Sequence, residues 1–301
     1  MALHVIVGAG PIGSATARRL ADEGHRVRIV TRSGGGPDHK SIERVSADAS
    51  DADRLTDLVV GAAALYNCAN PPYHHWPTEW PPLATAILTA AERSGAVLVT
   101  MSNLYGYGPV EGQMTEDLPL AATTVKGRIR AQMWRDLLEA HQAGRIRATE
   151  ARASDFVGAG GRSIFSEMVL PAIRAGKRAL APVNFDVPHS LTYTGDAART
   201  LVTLGADERS FGRAWHVPTN PATTLREAAT RYARLAGAPQ PRLRTMSNAV
   251  LRLGGLVNPA AKEFIEMRYQ FDRPFVLDSS AAQKTFGLEP TDLDDALRTM
   301  L

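Results

Sequence analysis

The sequence predicts an α/β protein built on a doubly wound parallel sheet, and three observations support this prediction. In the first half of the 301-residue chain, short apolar runs alternate with segments whose apolar residues recur at helical spacing. A glycine-rich turn separates the first apolar run from the first helical segment. The composition, with 44% hydrophobic and 22% charged residues, is that of an ordinary globular protein and excludes a disordered or fibrous chain.

The glycine-rich turn is the strongest local signal. It reads Gly8-x-Gly10-x-x-Gly13, and Pro11 and Ile12 begin the helix after it. In this strand-turn-helix context the first glycine permits the turn, the second lets the backbone approach a pyrophosphate, and the third allows close packing. The first N–H groups of the helix would face the anion. We predict a dinucleotide site, with a tight turn that binds nothing as the alternative.

The alternation of strands and helices continues to Arg152 and then stops. We predict strands at 3–7, 27–30, 42–46, 62–67, 96–101 and 146–152, and helices at 11–24, 51–59, 78–94 and 122–141. Beyond them we predict loops at 158–161 and 179–188, and helices at 163–175, 196–204, 225–236, 247–257 and 292–300. The chain therefore divides into a dinucleotide-binding domain, residues 1–152 with a return segment near 190–205, and a smaller, mostly helical substrate-binding region, residues 153–301.

The end of the second strand bears on the choice of cofactor. NAD sites usually place an acidic residue there for the ribose 2′-hydroxyl, but no Asp or Glu occurs between Glu23 and Asp38. Arg32 can instead bind a 2′-phosphate through its planar charged group. The sequence therefore predicts NADP(H), with a solvated loop arginine as the alternative.

Short motifs follow most of the predicted strands. They are Gly8 to Gly13, Ala47-Asp48-Ala49, Asn67-Cys68-Ala69-Asn70, Asn103-Leu104-Tyr105-Gly106, Thr115-Glu116-Asp117-x-Pro119, Lys126, Arg152-Ala153-Ser154-Asp155-Phe156-x-Gly158 and Thr192-Tyr193-x-x-Asp196-Ala197-Ala198. Together they resemble the extended short-chain dehydrogenase/reductase family, in its NAD(P)-dependent epimerase/dehydratase-like branch. The resemblance spans nearly the whole chain and implies a Rossmann-type fold.

The resemblance also implies roles for individual residues. Asp48 would contact the adenine amino group of the cofactor, and Ala49 next to it would also line the cofactor site. Cys68–Asn70 would line the cofactor cleft. Lys126 would hold the nicotinamide ribose. Asp48 has an alternative role, because a carboxylate at this point can cap the helix that follows.

The sequence departs from the family at the catalytic acid. Family enzymes use a tyrosine four residues before the lysine, its pKa lowered by the lysine's charge, with a Ser or Thr beside it. Here Ala122 stands four residues before Lys126, and residues 108–192 contain no tyrosine. The Ser/Thr position falls on Met101, with Ser102 one residue later. We expect an atypical member in which Ser102 and Lys126 are the remaining candidate catalytic residues.

Loss of the acid does not remove hydride chemistry. Positioning a reduced nicotinamide over a carbonyl supplies several kcal/mol, whereas a general acid contributes about 10² to 10⁴-fold. The proton would then come from the substrate or from water. Aromatic polyketides carry hydroxyls beside their ketones, and a few atypical members of this family act as ketoreductases on them.

We therefore predict an NADPH-dependent ketoreductase that acts on a ketone or quinone carbonyl of a polyaromatic natural product, in antibiotic biosynthesis. One alternative is a redox-sensing regulator that binds NADP(H) without catalysis. Another is a nucleotide-sugar epimerase or dehydratase, which the missing tyrosine disfavours because those reactions need repeated proton transfers.

Four residues are candidates for substrate binding. Tyr73 belongs to an aromatic loop at the carboxyl end of the sheet, where ligands of such folds bind. Tyr105 and Phe156 are candidate pocket walls, with simple core packing as the alternative. His189 precedes a segment that carries substrate-facing residues in the family, and its alternative is a histidine in a surface loop.

Other functions are disfavoured by composition. The 29 Arg and five Lys are offset by 31 acidic residues, which leaves a net charge of +3. The basic residues form no run, so nucleic-acid binding is not expected. No apolar run approaches a membrane span. The single cysteine, Cys68, excludes an internal disulfide and indicates a reducing cytoplasm, and the histidine spacings predict no metal site. We expect a cytoplasmic monomer or homodimer that binds a small-molecule substrate.

Overall fold

A seven-stranded parallel sheet forms the centre of the protein. In the computed structural model, which describes residues 1–247 and 264–301, its strands are β1 (Leu3–Val7), β2 (Arg26–Thr31), β3 (Ile42–Ser46), β4 (Ala62–Asn67), β5 (Val97–Asn103), β6 (Ala148–Ala153) and β7 (Ala214–His216). Their spatial order is β7-β6-β5-β4-β1-β2-β3. The chain builds one half outward from β1 and then crosses to β4 to build the other. The predicted doubly wound sheet is confirmed.

Helices cover both faces of this sheet. They are α1 (Pro11–Asp22), α2 (Ala52–Val59), α3 (Trp76–Ser94), α4 (Val125–Gln142) and α5 (Thr194–Ala206). Buried apolar residues of α1 and α5 pack on one face, and those of α2, α3 and α4 pack on the other. Because both faces are covered, the central strands β1, β4 and β5 are almost entirely buried.

Helix α4 begins three residues later than predicted. Its N-cap is Thr124, whose side chain accepts a hydrogen bond from the Gly127 N–H at 3.1 Å. The preceding segment is extended and packs back on the chain after β5, where the Ala122 N–H donates to the Gly106 carbonyl at 3.1 Å. The position of the family's tyrosine therefore lies before the helix.

The C-terminal part has its own core, which includes Phe165, Leu191, Leu225 and Leu297. Its helices are Leu170–Arg174, Leu225–Leu235, Tyr269–Asp272, Ser280–Phe286 and Leu293–Arg298, with a π-helical segment at Phe165–Val169. Short two-stranded pairs join Asp155–Val157 to Leu191–Tyr193, and Arg178–Ala181 to Arg242–Thr245. The predicted loop at 179–188 thus contains part of a strand.

Two features of the chain's organisation bear on the predicted domains. The predicted return segment near residues 190–205 contains α5. Strand β7 also returns to the sheet, and this strand was not predicted. The division at residue 152 stays a prediction, and the predicted helix at 247–257 lies outside the described residues apart from Ser247. No helix among the described residues is long and apolar enough to cross a membrane.

Candidate active site

One cavity of about 680 Å³ opens at the carboxyl ends of β1, β4 and β5. It lies where the strand order reverses, which is the ligand site of open α/β sheets. The predicted residues on its wall are Gly8, Gly10, Pro11, Ile12, Arg32, Asp48, Ala49, Cys68, Ala69, Asn70, Tyr73, Ser102, Tyr105 and Phe156. Within the described part of the chain, the wall does not include Gly13, Lys126 or His189.

The three glycines of the turn serve different purposes. Gly8 has a φ of +100°, and a Cβ there would lie 2.8 Å from the Cys68 carbonyl oxygen. A Cβ on Gly13 would lie 2.0 Å from the Gly8 carbonyl oxygen. A Cβ on Gly10 would meet no protein atom within 4 Å, although Gly10 lines the cavity. Packing within the protein therefore requires Gly8 and Gly13, whereas the space beside Gly10 is available to a ligand.

The N-terminus of α1 adds to this cradle. Gly10 is its N-cap and no side chain caps it, so the first N–H groups of the helix lack a capping acceptor. Such a terminus attracts anions through its N–H groups and its dipole. The open space at Gly10 and the uncapped helix together fit the pyrophosphate of a dinucleotide.

Asp48 lies exposed at the mouth of the cavity. Its Oδ1 accepts hydrogen bonds from the N–H and the hydroxyl of Ser50 at 2.9 and 2.7 Å, and these bonds lower the pKa of Asp48. Helix α2 is capped by Asp51, whose Oδ1 accepts from the Arg54 N–H at 3.0 Å. The alternative role of Asp48 as a helix cap is therefore wrong, and its carboxylate stays available at the cavity.

Arg32 also lies at the mouth, on the chain after β2. Its side chain is 72% exposed, and its Nη1 is 3.7 Å from Glu79 Oε2. Glu79 lines the cavity too and is bonded to His75 at 2.7 Å. A 2′-phosphate bound by Arg32 would therefore have a carboxylate nearby.

Cys68 lies between β4 and α1. A Cβ on Gly13 would be 3.2 Å from the Cys68 Cβ, so the two residues pack closely. Burial raises the pKa of the Cys68 thiol to about 12. The thiol is therefore protonated at neutral pH and is a poor nucleophile.

Two glycines pack closely against Ala122, which stands at the position of the family's tyrosine. A Cβ on Gly127 would lie 2.4 Å from the Ala122 Cβ, and a Cβ on Gly108 would lie 3.1 Å from the Ala122 Cα. The small residues let this segment approach the chain after β5.

Two other tyrosines meet inside the cavity. The hydroxyls of Tyr73, on a 3-10 turn before α3, and Tyr105, after β5, are 2.7 Å apart. Burial raises the pKa of both phenols, so both are protonated at neutral pH. Ser102 lines the same cavity at the end of β5. Because one phenol donates to the other, the cavity offers two hydroxyl donors to a carbonyl oxygen, namely Ser102 and one phenol of the pair.

Lys126 is buried behind Tyr73. Its Nζ lies 5.7 Å from the centre of the Tyr73 ring and 2.7 Å from Glu266 Oε2. The Lys126 backbone N–H also donates to Glu266 Oε1 at 3.1 Å. The predicted ribose-binding ammonium is therefore engaged by a carboxylate from the C-terminal part of the chain.

His189 lies one layer behind the cavity wall. It is 1% exposed, so the alternative of a surface histidine is wrong. Its Nε2 is 3.1 Å from Asp155 Oδ2, and its ring stacks on Phe271 and Phe275. Because Asp155 and Phe275 line the cavity, His189 can affect a ligand there by holding these two residues.

The sequence analysis missed several residues of the wall. They are Asn103, Arg130, Asp155, Gln270 and Phe275. Arg130 could have been found, because it follows Lys126 by one helical turn and so lies on the same face of α4. Asp155 belongs to a motif that the sequence analysis noted without giving this residue a role. The positions of Gln270 and Phe275 depend on long-range packing.

The chain is similar to a known protein family over most of its length and to a curated enzyme over a shorter stretch. The family model for the NAD dependent epimerase/dehydratase family matches residues 4–211. Shikimate dehydrogenase (NADP(+)) from Haloarcula marismortui is 36% identical over 124 residues, which are 41% of this chain and 43% of that enzyme. The chain thus matches less than half the length of this curated relative.

Solved structures share the whole fold. MoeE5 in complex with UDP-glucuronic acid and NAD has a TM-score of 0.78 at 22% identity, over 98% of this chain and 96% of that one. UDP-glucuronic acid 4-epimerase from Bacillus cereus, in complex with UDP-glucuronic acid and NAD, has a TM-score of 0.81 at 15% identity, over 99% and 97%. At these identities the similarity shows the fold and no more.

Proposed function

Because the chain belongs to the NAD dependent epimerase/dehydratase family, we propose that it is a nicotinamide-dependent reductase that uses NADPH to reduce a ketone or quinone carbonyl. One observation carries the proposal. A single cavity joins the glycine turn to the hydroxyls of Tyr73, Ser102 and Tyr105, while Ala122 stands at the position of the family's acid. The site thus combines a cradle for a hydride donor with hydrogen-bond donors for a carbonyl, and lacks the usual proton donor.

The cofactor would be held by residues on both sides of β1. The glycine turn and α1 would bind its phosphates, Asp48 its adenine and Cys68–Asn70 its central part. Lys126 lies behind the cavity wall, so it would hold the nicotinamide ribose only after its ammonium leaves Glu266. Arg32 would bind the 2′-phosphate of NADPH, and the name of the haloarchaeal relative, which specifies NADP(+), supports this preference. When bound, the cofactor supplies the hydride.

The chain's own residues would orient the carbonyl. Ser102 and the pair of phenols can donate hydrogen bonds to the carbonyl oxygen, which becomes more basic as the carbon is reduced. Burial raises the pKa of both phenols, which makes them weaker acids than an ordinary tyrosine. We propose that the oxygen takes its proton from water or from a hydroxyl of the substrate.

The wall of the cavity favours an aromatic substrate. Tyr73, Tyr105, Phe156 and Phe275 all line it, and aromatic side chains pack well on flat rings. A polycyclic ketone or quinone such as an aromatic polyketide fits this surface. Its own phenolic hydroxyl beside the ketone would provide the proton.

A second candidate is a nucleotide-sugar epimerase or dehydratase. It is favoured by the solved structures with this fold, which bind UDP-glucuronic acid, UDP-glucose or NAD. Epimerisation removes and returns protons at the sugar, and this requires a group that cycles between acid and base. Ala122 cannot do this, and no tyrosine within residues 108–192 can replace it.

The experiment is a comparison of turnover on two substrate classes. Purified protein is given NADPH with a panel of hydroxylated aromatic ketones and quinones, and separately NAD⁺ with UDP-glucose and UDP-glucuronic acid. Oxidation of NADPH on the first panel supports the reductase, and conversion of the sugars with no ketone reduction would support the second candidate. Tight NADPH binding without turnover on either panel would indicate a redox sensor.

A further inference from the structure

Arg130 is a buried cation on the wall of the cavity. It projects from α4 and is 6% exposed. Its guanidinium carbon lies 4.7 Å from the centre of the Trp76 ring and 4.4 Å from that of Trp80. The two indole faces hold the guanidinium in position, but they provide no hydrogen-bond acceptor.

Most donors of this guanidinium lack an acceptor. Within residues 1–247 and 264–301, Nη2 donates to Asn70 Oδ1 at 3.3 Å, which is long for a hydrogen bond, and Nε and Nη1 have no partner. A guanidinium has five N–H groups, and a buried cation without a counter-charge loses much of its solvation energy. An anion bound in the cavity would supply the guanidinium with the counter-charge that its own contacts lack.

The neighbouring charges do not supply one. Glu150 attracts Arg130, but its Oε1 accepts a hydrogen bond from Arg152 Nε at 2.7 Å. Arg130, Glu150 and Arg152 together therefore carry one excess positive charge. Lys126, one turn before Arg130, is paired with Glu266. Burial lowers the pKa of Arg130 to about 10, so the group is still charged at neutral pH.

The position of Arg130 argues for the substrate as the source of the anion. The uncapped end of α1, which would bind the cofactor's phosphates, belongs to one face of the sheet. Arg130 comes from α4 on the opposite face, beside the aromatic side chains Tyr73, Trp76 and Tyr105.

We propose that Arg130 binds a carboxylate group of the substrate, which makes the substrate a cyclic or aromatic keto acid. This assignment of the substrate class rests on the proposed function, whereas the anion site itself does not. With its carboxylate bound to Arg130, the rest of the substrate would lie against Ser102 and the hydroxyls of Tyr73 and Tyr105.

The test compares an acid with its neutral amide. Cyclohexanecarboxylate and cyclohexanecarboxamide are titrated at constant ionic strength, and binding is followed by tryptophan fluorescence, because Trp76 and Trp80 flank the site. We expect the acid to bind at least tenfold more tightly than the amide. Arg130→Gln should reduce this preference below twofold. Arg135→Gln, which removes an exposed arginine of the same helix, should leave it unchanged.

Several outcomes would overturn the proposal. Equal binding of acid and amide by the unmodified protein is one, and an unchanged preference in Arg130→Gln is another. Tenfold weaker binding of NADPH by Arg130→Gln, with acid binding intact, would assign the arginine to the cofactor. If Arg130→Gln does not fold, Arg130→Met keeps the length and apolar packing of the side chain without its charge and should also lose the preference. This titration involves no hydride transfer, so it tests the anion site alone. If the acid binds but no ketone causes oxidation of NADPH, the proposed function is contradicted and the anion site is not.

Discussion

The Nζ atom of Lys126 lies 2.7 Å from a carboxylate oxygen of Glu266, with the lysine side chain 1% and the glutamate 22% exposed. The pair joins the first turn of α4 to the C-terminal part of the chain. The lysine that would hold the nicotinamide ribose is therefore also a link between the two parts of the protein.

Lys126→Ala should reduce both stability and cofactor binding. It leaves a partly buried carboxylate uncompensated, which we expect to cost about 3 kcal/mol in the free energy of unfolding. Denaturant unfolding and NADPH titration measure the two effects. Glu266→Gln is the matched control, because it breaks the pair but keeps the ammonium. If both variants lose stability but neither loses NADPH affinity, Lys126 has only a structural role.

Gly10→Ala should separate ligand binding from folding. The Gly10 backbone has a φ of −65°, which alanine adopts, and an added Cβ meets no protein atom within 4 Å. We expect an unchanged Tm and at least tenfold weaker NADPH binding, or about 1.4 kcal/mol. Gly13→Ala is the opposite case, because its Cβ would clash with the Gly8 carbonyl and destabilise the protein by about 2 kcal/mol. Normal NADPH binding by Gly10→Ala would place the pyrophosphate elsewhere.

Cofactor preference should depend on Arg32. We expect NADPH to bind at least tenfold more tightly than NADH, about 1.4 kcal/mol, and Arg32→Asp to shrink or invert this ratio. Glu79→Gln removes the carboxylate 3.7 Å from Arg32 and should improve NADPH binding by about 0.5 kcal/mol. Calorimetric titration gives both numbers. Equal affinities for the two cofactors in the unmodified protein would contradict the prediction.

No single hydroxyl in the cavity should behave as the general acid. Ser102→Ala, Tyr105→Phe and Tyr73→Phe should each lower kcat by less than about 10²-fold, the lower end for loss of a true acid. Steady-state kinetics at saturating NADPH measures the effect. A loss of about 10³-fold or more in one variant, with NADPH affinity intact, would identify that residue as the proton donor.

Local patterns predicted the sheet and the glycine turn that lines one end of the cavity. The spacing of Gly8, Gly10 and Gly13 between a strand and a helix was sufficient, because this spacing has a local signature even though Gly8 and Gly13 pack against Cys68. The part of the cavity wall that contains Arg130 was harder to predict. The spacing from Lys126 indicates the face of α4 on which Arg130 lies, but not that Trp76 and Trp80 of another helix enclose it. Nor does the sequence indicate that Glu266 contacts Lys126 across 140 residues. Such contacts follow from tertiary packing and have no local signature.

The start of α4 shows a different limit. Residues 122–124 continue the helical spacing, so the sequence analysis began the helix at Ala122. In the structure the N-cap is Thr124, because its hydroxyl can accept from the Gly127 N–H and the Ala122 N–H is already bonded to Gly106. Competition between a cap and a tertiary hydrogen bond decides the boundary.

We propose that this chain reduces carbonyls although Ala122 stands where the family has its catalytic tyrosine. The most informative measurement is the rate at which purified protein oxidises NADPH in the presence of hydroxylated aromatic ketones, with and without a carboxylate. Gly10→Ala is the comparison variant, assayed at NADPH concentrations below its Kd. We expect ketone-dependent oxidation that is faster with the acids and, at these NADPH concentrations, about tenfold slower in Gly10→Ala. NADPH that binds tightly but is not oxidised by any ketone of the panel would contradict the proposal.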